Sequence, residues 1–248
     1  MSQQEQRRHR ASIQDGDLKT LPLLDHKYYE EPSVFTAENL LREARRQKGL
    51  AQGQVPRVCI LDPDGDLVEY LRTTAHAQRH PTWACYHTVL ETFAYEGVDY
   101  GIVGRVVGAP FAVLVAEELF ASGCDLIVSI TSTGQIRSMG NPPYVVLIEK
   151  ALRDEGTSYH YLPPSRYSIL SPVLKEVIST AWDATRVPLY VGASWTTDAP
   201  FRETEAAIAA CRAEGILAVE MEAAALYALA TQKRGDCSLP NKKVDFIP

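Results

Sequence analysis

The chain has 248 residues, 46% of them hydrophobic and 23% charged, a composition ordinary for a globular protein and a length sufficient for one domain with a sizeable core. A formal net charge of −6 argues against general nucleic-acid binding, which needs a basic footprint. No apolar run is long enough for a transmembrane helix, so no membrane partner is expected.

Residues 1–20 are polar and carry Arg7, Arg8 and Arg10 without an apolar h-region, which reads against a secretory signal. Composition predicts a flexible polar tail over 1–30, a folded domain over 31–232 and a polar C-terminal tail over 233–248. From Thr36 the pattern is that of a capped amphipathic helix stopped near Gly49. Val58, Cys59, Ile60 and Leu61 form a short buried strand, followed by Asp62-Pro63-Asp64-Gly65-Asp66 and a helix through Leu71. The alternating aspartates invite a calcium loop, but Leu67 stands where an EF-hand needs Gly and Thr73 where it needs Glu. An acidic turn that caps the next helix is the better account, and no metal is expected.

Further strands are predicted over 85–93, 98–103, 125–130, 144–148, 189–193 and 216–219, with helices from Pro110 to near Gly123, over 172–182 and over 203–212. Strands alternating with helices mean an α/β fold. Cys59, Cys85, Cys124, Cys211 and Cys237 are scattered, odd in number and free of C-x-x-C pairs, and most lie in apolar runs. They predict reduced core thiols in a cytoplasmic protein.

The most informative stretch is 213–231. Gly215 ends a helical pattern, a short apolar run follows, and from Met221 onward Ala, Leu and Tyr favour helix, with apolar positions at Met221, Ala225, Leu226 and Leu229. Glu220 and Glu222 therefore sit at a strand-to-helix junction inside apolar sequence. An ionised carboxylate is costly to bury unless donors surround it. A polyol ligand would supply those donors; an acidic first turn facing the positive end of a helix would account for the same residues.

Val219-Glu220-Met221-Glu222-Ala223-Ala224 resembles the signature of the nucleoside phosphorylase and uridine phosphorylase family. Val115-Ala116-Glu117-Glu118-Leu119, Gly156-Thr157-Ser158-Tyr159-His160-Tyr161-Leu162-Pro163 and Thr197-Asp198-Ala199-Pro200-Phe201 resemble further family segments in the family's order. The resemblance implies a single three-layer α/β/α domain around a twisted mixed β-sheet. It also implies a pentosyltransferase of nucleoside salvage that cleaves the N-glycosidic bond with phosphate as co-substrate and no other cofactor. Glu222 and Asp198 would be catalytic, Glu222 through its grip on the ribose hydroxyls and Asp198 near the base, with Met221 and Glu220 as further ribose-binding residues. A homo-oligomer, dimer or hexamer, is implied as well.

Phosphate in this family is held by a glycine-containing turn and several arginines, and this sequence departs from that pattern. Pro63 takes the place of the phosphate-contacting Gly, Leu67 that of an Arg, Tyr86 falls near the Arg lent by a neighbouring subunit, and Ser129 replaces the Arg that opens the glycine run. What remains is the turn Thr131, Ser132, Thr133 and Gly134, whose backbone N–H groups and Ser132 suit an anion or a water, with Arg105 as the nominated cation. At the base end Thr204 and Ala206 stand where uridine phosphorylases place Gln and Arg, leaving Phe201 and Arg202 as the base-binding candidates. His160 is read as structural. The tail after Thr231 lacks a strand-length apolar run, which predicts the loss of a core strand and an uncovered sheet edge. Three functions follow: a phosphorolytic enzyme, a hydrolase that uses the same ribose grip with water, or a silent nucleoside-binding homologue.

Overall fold

The structure, a computed structural model, describes residues 21–74, 76–235 and 243–246. Helix α1 (Ala37–Lys48) starts and stops as its sequence predicts: the Thr36 side chain accepts from the Asn39 N–H, and Gly49 closes the helix at φ 65°. Strand β1 (Val58–Asp62) leads into α2 (Asp66–Thr74) through the aspartate turn. That turn is a cap, since the buried Asp62 carboxylate accepts from Gly65 N at 3.0 Å and Val68 N at 2.8 Å.

The remaining elements are β2 (Gln78–Arg79), β3 (Glu91–Tyr95), β4 (Val98–Gly104), α3 (Ala109–Ala121), β5 (Leu126–Ser129), β6 (Gly134–Gln135), β7 (Val145–Asp154), β8 (Tyr167–Ile169), α4 (Pro172–Ala181), β9 (Leu189–Thr197), α5 (Glu205–Ala213), β10 (Ala218–Glu220), α6 (Ala223–Gly235) and β11 (Lys243–Phe246). The α/β expectation holds, with the strands shared between two mixed sheets. One runs β11-β5-β1-β4-β3-β2 and the other β6-β10-β9-β7-β8. Strands β11, β5, β1 and β4 are mutually parallel, as are β10, β9 and β7, while β2, β3, β6 and β8 join in antiparallel fashion.

Helices α3 and α6 form the centre of the core. Every residue from Ala223 to Ala230 is buried, five of them alanines, and α3 contributes Ala109, Ala112, Val113, Val115, Ala116 and Leu119. Small side chains let two helices approach each other and the sheet, and Leu226 and Leu229 each contribute about 2 kcal/mol by burial. The fully buried Tyr227 hydroxyl donates to the Ile148 carbonyl at 2.6 Å, which ties α6 to β7.

Several expectations are corrected. No strand covers 85–90; β3 begins at Glu91, because the Ala84 and Cys85 carbonyls accept from the Lys48 ammonium instead of a sheet partner. Strand β7 runs on to Asp154 and β9 to Thr197, because they pair with each other along their whole length. The C-terminal segment does contain a strand: β11 pairs in parallel with β5, Lys243 opposite Leu126 through Phe246 opposite Ser129, so that edge is covered. Helix α6 also runs past residue 232, into the stretch that composition predicts to be polar tail.

At the other end, residues 21–30 do not behave as free tail. Tyr29 donates to the Tyr159 carbonyl at 3.2 Å and the Lys27 ammonium lies 3.0 Å from His160 Nδ1, so the polar groups of this segment find partners on the domain. Residues 1–20, 236–242 and 247–248 of the two tails lie outside the described residues, Cys237 among them. Cys59, Cys85, Cys124 and Cys211 are buried, as core thiols are. Among the described residues no helix is long and apolar enough to cross a membrane.

Candidate active site

Parallel pairing aligns the C-terminal ends of β1, β4 and β5 in one sheet and of β9 and β10 in the other. Open α/β sheets bind ligands at such ends. The chain places Asp62 at the end of β1 and Asp64 just beyond it, Arg105 and Gly108 after β4, the turn 131–134 after β5, and Asp198, Met221 and Glu222 after β9 and β10. A backbone pairing joins two of these groups: Gly134 lies opposite Val219, so the turn adjoins the strand that ends in Glu220. The approach is close, since a Cβ on Gly134 would stand 2.6 Å from a Val219 methyl.

Glu220 is buried and saturated. Its oxygens accept from Ser194 Oγ at 2.9 Å, Thr196 Oγ1 at 2.5 Å, Glu222 N at 2.7 Å and Ala223 N at 2.7 Å. A carboxylate offers about four lone-pair sites, so none is spare. Thr196 Oγ1 in turn accepts from Ala224 N at 3.0 Å. Glu220 and Thr196 together satisfy the first N–H groups of α6, which is why that helix begins at Ala223 and not at Met221. Burial raises the Glu220 carboxyl above its ordinary value, and these four donors oppose the shift. The geometry gives Glu220 the task of building the junction and leaves no acceptor for a sugar.

Glu222 is as deeply buried, at 2% exposure, but is differently served. Oε1 accepts from Gly108 N at 2.6 Å, and among the described residues Oε2 has only a long contact of 3.3 Å with Met221 N. Gly108 caps α3 with φ 89°, a conformation that glycine adopts without strain. Glu222 therefore lies between the N-terminal ends of α3 and α6, where helix dipoles favour negative charge. Burial nevertheless pushes its carboxyl up to about 8, helped by the charges of Glu220 and Asp64 and opposed by the Gly108 and Met221 N–H groups. A buried carboxyl with unused acceptor capacity is what a pair of hydroxyl donors would complete.

The turn after β5 is already engaged. Ser132 N donates to one oxygen of Asp64 at 2.5 Å and Ser132 Oγ donates to the other at 3.1 Å. The two donors nominated for an anion thus hold a carboxylate of this chain. Thr131 is buried and donates to the Ser132 carbonyl, while Thr131, Ser132 and Thr133 line a cavity of about 230 Å³ with Gln135, Tyr144 and Leu217. Arg105 has φ 64° and donates its N–H to the Asp62 carbonyl at 2.7 Å. Its side chain crosses Gly65, where a Cβ would come within 2.9 Å of Arg105 Cγ, and its guanidinium reaches Glu69 at 3.6 Å. Arg105 is thus beside the aspartate turn, mostly exposed and paired with a glutamate. The buried Arg153 is committed elsewhere, donating to Ser158, Pro163, Ser165 and Leu162 and so pinning the segment 156–163.

The other predicted residues lie farther along the same edge. Asp198 Oδ2 accepts from Gly156 N at 2.8 Å and borders a cavity of about 590 Å³ lined by Phe35, Pro110, Glu117 and Tyr161. Neither Glu222 nor the 131–134 turn lines that larger cavity. Phe201 and Arg202 sit on a 3-10 turn after β9, with Phe201 99% exposed. His160 makes the Lys27 contact, and burial and that ammonium lower its basicity. Sequence reasoning missed Gly108 and the pairing of Asp64 with Ser132. A glycine just before a helix-starting Ala-Pro was the available signal for the first; a contact across 68 residues left none for the second.

The family model described as the Phosphorylase superfamily matches residues 57–236. A guanosine phosphorylase from Halorubrum lacusprofundi is 27% identical over 182 residues, 73% of this chain and 69% of that protein. A DeoD-type purine nucleoside phosphorylase from Colwellia psychrerythraea is 30% identical over 145 residues, 57% of this chain and 61% of the relative. A uridine phosphorylase from Thermococcus kodakarensis is 24% identical over 148 residues, 59% of this chain and 52% of the relative. The match thus spans between about half and about two thirds of these relatives' lengths. The crystal structure of uridine phosphorylase from Vibrio fischeri ES114 has the same fold, with a TM-score of 0.64 at 21% identity over 90% of this chain and 84% of that one.

Proposed function

Because the chain belongs to the phosphorylase superfamily, we propose that it cleaves the N-glycosidic bond of a nucleoside, with Glu222 holding the ribose hydroxyls. The observation that carries this reading is the contrast in hydrogen bonding at the junction: Glu220 is saturated, whereas Glu222 is equally buried and retains acceptor capacity. Cleavage passes through an oxocarbenium-like sugar, and hydrogen bonds to the 2-hydroxyl strengthen as that charge develops. Hydroxyl donors favour the ionised form of Glu222, which burial disfavours. In this reading Met221 packs under the sugar, Phe201 and Arg202 meet the base, Asp198 stands near it, and a second copy of the chain borders the pocket.

The relatives named above are phosphorylases, and phosphorolysis would give free base and ribose 1-phosphate. A second nucleophile, water, is favoured by one observation: the Ser132 donors already hold Asp64. A panel of purine and pyrimidine nucleosides, incubated with and without phosphate and resolved by chromatography, tests the bond cleaved. Release of free base from at least one member is the expected result. An intact panel after incubation with folded protein would refute the reading.

A further inference from the structure

We propose that Asp64 is the resident anion of this site, taking the seat a phosphate would need and acting as the base through which water attacks the sugar. The inference rests on the N-glycosidic reading and adds the nucleophile and the residue that activates it. Its foundation is geometric. Ser132 N and Ser132 Oγ donate to the two oxygens of one carboxylate, a two-point grip that a free phosphate would have to break. The turn cannot easily move aside, because Gly134 is paired with Val219 on the strand leading to Glu220.

Charge points the same way. A phosphate dianion is best held by guanidinium groups, and here Leu67 and Ser129 are uncharged, Arg105 faces Glu69 and Arg153 is spent on its own loop. An incoming dianion would instead meet the Asp64 carboxylate. Asp64 is exposed, so the acceptor positions that Ser132 leaves unused are open to solvent. Asp64 is close enough to Glu222 for its charge to act on that carboxyl, so a water held there would face the sugar that Glu222 grips. The step balances. The water oxygen forms a bond to C1′ and gives one proton to Asp64; the C1′–N bond breaks with its electron pair going to the base; the proton passes from Asp64 through solvent to the base nitrogen. Nucleoside and water become ribose and free base, and Asp64 returns to its starting form.

Two measurements decide the matter. Titration calorimetry with inorganic phosphate asks about the seat and does not depend on turnover. Wild type is expected to give no saturable heat, and Asp64→Ala, a change at an exposed side chain, to gain weak saturable binding. Phosphate binding to wild type, or its absence from both proteins, would overturn the proposal. Product analysis asks about the base. Wild type is expected to yield free ribose at a rate indifferent to phosphate, and Asp64→Asn to lose roughly 100-fold or more in kcat with KM little changed. Ribose 1-phosphate from wild type would overturn the proposal and leave the cleavage reading standing. No base release from any nucleoside would sink the cleavage reading, and the phosphate titration would still decide whether Asp64 fills an anion seat.

Discussion

The junction after β10 and the turn after β5 adjoin one another and both hold carboxylates, but they are finished to different degrees. At the junction, Glu220 uses every acceptor it has on the chain's own donors, while Glu222, two residues on, has one strong donor and one weak one. At the turn the position is reversed: donors that a ligand would want, the Ser132 N–H and hydroxyl, are already taken by Asp64. Saturated groups build the site, whereas a buried group with spare capacity is where a ligand gains most, because desolvation has already been endured. Residue type alone would rank Glu220, Glu222 and Ser132 as equal candidates; hydrogen-bond completeness separates them.

The largest effect should come from Glu222→Ala. Removing a charged hydrogen-bonding partner of the substrate is expected to cost about 2–4 kcal/mol of transition-state stabilisation, about 30- to 1000-fold in kcat/KM, with little loss of folding stability. Steady-state kinetics beside a denaturant melt checks both halves. Glu220→Ala should do the opposite. It strands two hydroxyls and two helix N–H groups in a buried place and should lower unfolding free energy by about 2 kcal/mol. Equal losses of stability in the two variants would erase the distinction drawn between them.

A pH series sharpens the same contrast. The Glu222 carboxyl is raised from 4.5 to about 8, so the folded protein keeps a proton that the unfolded chain releases. That contribution is full below about pH 4.5, declines as pH rises toward 8 and is gone beyond it. The difference in stability between wild type and Glu222→Gln, measured by urea melts from pH 5 to 8, should therefore shift steadily against wild type. A flat difference would mean that Glu222 is ionised throughout that range. The smallest effect belongs to Arg105→Ala. An exposed guanidinium 3.6 Å from Glu69 should contribute within about 0.5 kcal/mol to stability, and its removal should leave nucleoside cleavage unchanged.

Much of the scaffold was legible because local rules decide it. Thr36 and Gly49 bound α1 by cap chemistry, and the apolar runs at Val58 and Leu126 become central parallel strands. The Glu-Met-Glu stretch announces its junction through two acids in apolar surroundings. What sequence could not show depends on partners distant along the chain. The start of α6 is set by Glu220 and Thr196 acting together, and β11 joins the sheet through backbone pairing that an apolar-run criterion does not detect. Asp64 looked like one more residue of an acidic cap. Only the fold shows that Asp62 does the capping and that Asp64 is turned to Ser132.

The central claim is that Glu222 holds the sugar of a nucleoside whose glycosidic bond is broken. Its most direct test is the rate of free-base release by wild type and by folded Glu222→Gln, each on the nucleoside that wild type cleaves fastest, followed by chromatography at saturating substrate. The account predicts release by wild type and a loss of at least about 30-fold in the glutamine variant, which fills the same space without the negative charge. Release at the wild-type rate by a variant whose melt is unchanged would contradict it.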